Sequence, residues 1–141
     1  MVGSRSILVV EPDGDDRGGL AGSLRGAGLL IDIASDAASA LSTIESTPHV
    51  MIVVDQSTPG LNVAALGDSL RRMARRPMAL LVADDIDAIH RAGVGDVVHG
   101  YLRRSELDGL PDLVRDCLAA LRDSKPVALG PLAGKPISPN A

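Results

Sequence analysis

His49-Val50-Met51-Ile52-Val53-Val54-Asp55-Gln56-Ser57-Thr58-Pro59-Gly60 is the stretch on which the reading of this chain turns. Five apolar residues, Val50 to Val54, run unbroken into Asp55, and a Pro-Gly pair follows. A short run of this kind, rich in β-branched residues, reads as a strand buried on both faces. Pro59-Gly60 reads as a turn. Asp55 therefore stands where a buried strand gives way to a loop, the edge of an open α/β sheet at which ligands and chemistry collect.

Working outward, Ser6 to Val10 is an apolar run ending at Glu11-Pro12-Asp13, and Pro12 cannot continue a central strand. Asp16 to Gly26 carries helical spacing through Leu20 and Leu24, weakened by Gly18, Gly19 and Gly22. Leu29 to Ala34 reads as a second strand, and Asp36 as the N-cap of a helix through Ile44. Val63 to Arg75 reads as a third helix, its end rich in arginine. Met78 to Ala83 is a fourth strand, followed by a short helix capped by Asp84 or Asp85 and ended by Gly93 and Gly95. A ragged fifth strand falls in the segment from Val97 to Leu102, and Leu107 to Leu121 carries a broad apolar stripe with Pro111 in its first turn. Five rounds of strand then helix predict an α/β fold, a five-stranded parallel sheet in order 2-1-3-4-5, doubly wound and flavodoxin-like with helices on both faces. Residues 1–123 form this domain. Residues 124–141, with four prolines and two glycines from Lys125 onward, read as a linker or disordered tail.

The totals exclude several classes. A length of 141 residues with 45% hydrophobic residues suits a single domain with an aliphatic core. Tyr101 is the sole aromatic residue among Phe, Trp and Tyr, and the net charge is -4, so base stacking and non-specific phosphate binding lack a basis; no direct contact with nucleic acid is expected. No apolar run reaches membrane-spanning length, and no signal-peptide layout is present. Cys117 lies in an apolar helical pattern and reads as a buried thiol in a reducing, cytoplasmic setting. His49, His90 and His99 show no metal-ligand spacing, and no glycine fingerprint follows the first strand.

Ile7-Leu8-Val9-Val10-Glu11, Val53-Val54-Asp55 with Pro59-Gly60 behind it, and Gly100-Tyr101-Leu102 before Arg103-Arg104 occur in an order and spacing that resembles the receiver domain of bacterial two-component response regulators, in an atypical form. The resemblance spans Ser6 to Arg122. It implies that Asp55 is the phosphoacceptor, that Glu11, Asp55 and the backbone carbonyl of Ser57 hold magnesium, and that Arg104 occupies the place of a lysine that contacts the phosphoryl group. Val82 stands where a switch hydroxyl is usual, and Tyr101 at the aromatic switch position. The second acidic position after the first strand is Pro12, with Asp13 next along as a substitute ligand.

The departures have chemical weight. Phosphoryl transfer is catalysed mainly by positioning and by neutralising oxygen charge. Pro12 offers magnesium no side-chain oxygen, Val82 offers no hydroxyl, and Arg104 is planar and larger than lysine. Arg104 can either contact a phosphoryl group or pair directly with Asp55 and hold the pocket shut. The expectation is an atypical receiver that signals through protein-protein interaction, with weak or absent magnesium and impaired or absent phosphorylation. It is not an enzyme beyond phosphoryl acceptance at Asp55. The alternatives are an active receiver phosphorylated at Asp55 by a histidine kinase, and a small nucleotide- or flavin-binding domain. The resemblance implies a histidine kinase or downstream signalling protein as partner, and a homodimer through the fourth helix, fifth strand and fifth helix. For that face the charges are Arg91, Arg103, Arg104 and Arg115, against Asp96, Glu106, Asp108 and Asp112.

Overall fold

The computed structural model describes residues 6–12 and 19–123. The elements alternate as expected: β1 (Ile7–Val10), α1 (Gly19–Gly26), β2 (Ile31–Ala34), α2 (Ala37–Ser46), β3 (Met51–Asp55), α3 (Val63–Arg71), β4 (Met78–Ala83), α4 (Ile86–Arg91), β5 (Gly100–Arg103), a 3-10 turn (Arg104–Gly109) and α5 (Leu110–Asp123). All strand pairs are parallel, in the order β2-β1-β3-β4-β5.

β1, β3 and β4 are buried along their whole length because they lie inside the sheet with helices on both faces. Their side chains alternate between two cores. Ile7, Val9, Met51, Val53, Leu80 and Val82 meet Leu20 and Leu24 of α1 and Leu110, Leu113, Val114 and Cys117 of α5. Leu8, Val10, Ile52, Val54, Leu81 and Tyr101 meet Ala40 and Ile44 of α2, Leu66 and Leu70 of α3, and Ile89 of α4. The two edge strands mix buried and exposed positions, β2 along its length and β5 at Arg103.

The helix ends follow local chemistry. Asp36 accepts the Ser39 amide at 2.7 Å, Asn62 the Ala65 amide at 3.0 Å, and Asp85 the Ala88 amide at 3.0 Å. α1 closes in a Schellman motif: the Gly28 amide bonds Arg25 O, and the Leu29 amide bonds Leu24 O. Gly28 adopts φ +86°, and Leu29 is thereby drawn out of the second strand, which begins at Ile31. At Thr58-Pro59-Gly60-Leu61 the Leu61 amide bonds Thr58 O, with Gly60 at φ +76°, the arrangement of a type II turn with proline in its second place.

Three further expectations shift. α3 ends at Arg71 rather than Arg75, because Arg76 precedes Pro77 and the chain must extend to place the Met78 amide on Val50 O. Val97 and Val98 are buried in a turn, both amides bonding Val94 O, so β5 starts only at Gly100. The segment from Arg104 to Gly109 winds as a 3-10 turn before α5 begins. Asp13, Asp15, Asp16 and residues 124–141 lie outside the described residues.

Candidate functional site

The parallel register brings the C-terminal ends of β1, β3, β4 and β5 to one edge. Asp55 closes β3 opposite Val82 and is 4% exposed. The Gln56 amide extends the ladder to Val82 O. Thr58 Oγ1 donates to Asp55 O at 2.7 Å and lies 3.3 Å from Val10 O, which joins the ends of β1 and β3.

Arg104, the residue after β5, presents a guanidinium to two carboxylates. Its Nη1 and Nη2 donate to Asp55 Oδ2 and Oδ1 at 3.0 and 2.8 Å. Its Nε and Nη2 donate to Asp84 Oδ1 and Oδ2 at 2.8 and 2.9 Å. Ser57 adds its amide at 2.9 Å and its hydroxyl at 2.7 Å to Asp55 Oδ1. Burial pushes the Asp55 pKa up, but the hydrogen bonds from Arg104 and Ser57 outweigh it and hold the carboxylate below its ordinary value. The same two carboxylates raise the Arg104 pKa, so the guanidinium stays charged.

Glu11, 7% exposed, turns the other way. Its Oε1 and Oε2 accept the amides of Leu20 and Ala21 at 3.0 and 2.9 Å, so its charge sits on the positive end of α1. Gly19 at φ +60° permits this approach, since a Cβ there would collide with Glu11 Oε1. As arranged, Glu11 and Asp55 both have their oxygens engaged by protein donors, and Pro12 brings no oxygen ligand on its side chain. A magnesium ion here would have to share these oxygens with the donors already on them, and Asp13, the remaining candidate ligand, lies outside the described residues. No group of three His, Cys, Asp or Glu suited to a metal occurs among the described residues.

Val82 and Tyr101 belong to opposite faces of the sheet. Val82 is fully buried among the α1 and α5 contacts, and pairs in register with Leu102. Tyr101 is 3% exposed on the other face and stands edge-on to His90, ring centroids 5.9 Å apart at 86°.

Two residues of the site carry no weight in the sequence reading. Asp84, weighed there only as a helix cap, is the second anchor of Arg104. Gln56 brackets the loop between β4 and α4: its Oε1 accepts the Asp84 and Asp85 amides, both at 2.7 Å, and its Nε2 donates to Asp85 O at 2.9 Å. The signal available for Asp84 was its position directly after the fourth strand, on the same sheet edge as Asp55. Away from this edge, His49 Nε2 lies 2.8 Å from Asp32 Oδ2 and its Nδ1 3.1 Å from Thr47 O, while His99 Nδ1 accepts the Ala79 amide at 3.2 Å. Burial, with the charge of Arg76, lowers the His99 pKa.

No protein-family model matches the chain, and no curated protein matches it. Solved structures do. A response regulator signal receiver domain from Bermanella marisrubri is 28% identical, with TM-score 0.66 over 82% of this chain and 98% of its own. A CheY-like response regulator receiver domain protein from Methanospirillum hungatei JF-1 is 15% identical, with TM-score 0.68 over 85% of this chain and 98% of its own. Full-length FixJ from B. japonicum is 22% identical, with TM-score 0.67 over 89% of this chain and 61% of its own. No helix among the described residues is long and apolar enough to cross a membrane. With its sheet order, its acidic strand end and these neighbours, the chain is a structural homologue of the response-regulator receiver domains and has their fold.

Proposed function

We propose that this chain is an atypical receiver domain that signals through a protein partner, with phosphoryl acceptance at Asp55 impaired or absent and magnesium bound weakly or not at all. The observation that carries this reading is the state of the Asp55 carboxylate. Oδ1 receives three donors, from Ser57 N, Ser57 Oγ and Arg104 Nη2, and Oδ2 receives Arg104 Nη1. A carboxylate held by four donors is a weakened nucleophile, because their hydrogen bonds draw electron density from both of its oxygens. Pro12 and Val82 supply neither an oxygen ligand nor a hydroxyl to offset that loss. Ser57 O and Asp13 remain the supplementary magnesium ligands implied by the resemblance, beside Glu11 and Asp55. The partner is a histidine kinase or a downstream signalling protein.

The second reading, an active receiver, is favoured by the placement of Asp55 at the C-terminal edge with a permanent cation already on its oxygens. Mass spectrometry after treatment with acetyl phosphate and magnesium separates the two. The expected result is slow or undetectable labelling of Asp55. A stable, near-stoichiometric adduct there establishes the active receiver instead. Restoring the missing groups with Pro12→Asp and Val82→Thr is expected to raise labelling above the parent.

A further inference from the structure

One guanidinium ties three strand ends together. Arg104 follows β5, Asp55 ends β3, and Asp84 follows β4, and four charge-assisted hydrogen bonds between 2.8 and 3.0 Å join them. The two carboxylates differ in freedom. The Asp55 side chain is 5% exposed and held by Ser57, whereas Asp84 is 45% exposed on a loop. Asp55 is therefore the fixed end of the tie and Asp84 the movable end. From Asp84 the connection continues into α4: the Asp84 and Asp85 amides share Gln56 Oε1, and Asp85 Oδ1 caps the helix at Ala88. α4 has only six residues, too few to hold its place by helix propensity alone.

We propose that Asp84 is the positioning residue that couples the Asp55 pocket to α4, through an Arg104 guanidinium shared between the two carboxylates. Neutralising Asp55 frees the inner end of the tie, and the Arg104–Asp84 unit and the loop behind it loosen together. The route runs along the exposed edge of the site and does not involve the side chain of Val82. The inference deepens the proposed signalling role and rests on it for its biological meaning, but its test uses no phosphoryl donor.

Amide hydrogen exchange by NMR reads the coupling at Ile89 and Ala92, whose amides bond Asp85 O and Ala88 O. Asp55→Asn and Asp84→Ala are each expected to speed exchange there by about fivefold, while Val9 and Val53 in the central strands stay unchanged. The double variant is expected to match the stronger single one, since cutting a chain at two links frees it no further. Arg104→Lys keeps the charge but cannot fork to two carboxylates, and should behave like Asp84→Ala. Asp84→Glu should recover part of the protection. The same series in a Gln56→Ala background exposes any effect that the second hold on the loop masks. Exchange in Asp55→Asn within about twofold of the parent in both backgrounds, or double-variant effects that multiply, would overturn the coupling. A stable acetyl-phosphate adduct with intact coupling overturns only the phosphorylation reading. Absent coupling with no adduct overturns only this inference.

Discussion

At Asp55 a single side chain carries the balance between burial, which disfavours its charge, and four donors, which favour it. The donors win, so its folded pKa lies below the ordinary 3.8. The sign of the linkage follows: a depressed carboxylate adds stability above its unfolded pKa and loses it as pH falls through the folded value. Removing Arg104 leaves the charge nearly buried with only Ser57 as donor. Arg104→Met is expected to destabilise the fold by about 1–2 kcal/mol at pH 7. That lies below the cost of breaking a fully buried pair, because the Arg104 side chain is 45% exposed and partly screened. Urea unfolding at pH 7 and near pH 3 measures this. The deficit should shrink at the lower pH, and adding Asp55→Asn should restore part of the stability at pH 7. A deficit unchanged by pH would place the role of Arg104 in packing. Sequence reading brought Asp55 and Arg104 to one edge because both follow apolar runs whose register a parallel sheet fixes. It did not reach the partner of Glu11, whose carboxylate crosses a loop to α1, because hydrogen bonds to backbone amides of a distant element leave no residue-type signal.

Among the elements, those with an unbroken apolar run or an Asx cap were legible, and those shaped by a neighbour were not. β1, β3 and β4 follow directly from β-branched runs, and Asp36 from its place before a helical pattern. Val97 and Val98 look like a strand by composition, yet they lie in a turn closed on Val94 O, with Val94 and Val97 filling the space above α3. That space exists because Gly67 stands on α3 without a Cβ. A Cβ there would lie 2.5 Å from Val94 Cγ1 and 3.6 Å from Val97 Cγ2. Gly67→Ala gains about 1 kcal/mol of helix propensity but forces an overpacked contact costing about 1–3 kcal/mol. A net loss of about 1 kcal/mol is expected, because Val94 is fully buried and has no direction in which to retreat. Val94→Ala alone should also destabilise, by loss of buried methyls. The double variant should be more stable than the sum of the two losses, since the new methyl occupies part of the space that Val94 vacates. Thermal melts of the four proteins in the cycle decide this, and strict additivity would show that the close approach at Gly67 has no energetic weight.

Over the whole molecule, the two cores leave one open question of assembly, the face formed by α4, β5 and α5. Its charges are fewer than the sequence suggests. Arg115 donates to Ala27 O at 2.6 Å and pairs with Asp112, so it serves the contact with α1. Asp96 is taken by Arg71, whose bond to it holds the Asp96 pKa near 2. Arg104 is committed to Asp55 and Asp84, and Glu106 accepts the Arg103 amide at 3.0 Å. Arg103 and Asp108 remain as exposed charges able to meet a partner, and Arg91 is exposed with Asp85 4.0 Å away. α5 turns Leu110, Leu113, Val114 and Cys117 onto the sheet and leaves Leu121 as its exposed large apolar residue. A surface of this kind supports weak self-association at most, since complementary charges steer and align partners more than they add affinity. A symmetric pair must also be self-complementary about its two-fold axis, and Arg91 and Arg103 of one copy have chiefly Asp108 of the other to face. Arg104 and Ser57 already hold the Asp55 carboxylate, so a phosphoryl mimic must compete with them for its oxygens. Sedimentation across a concentration series, with and without beryllofluoride and magnesium, is therefore expected to give the same small dimer fraction in both conditions. Arg91→Glu with Arg103→Glu should abolish it. A strictly monomeric species at every concentration removes the dimer. A dimer that forms only with the mimic shows that Asp55 can release Arg104 and Ser57 and still drive a switch, which would carry the chain to the active-receiver reading.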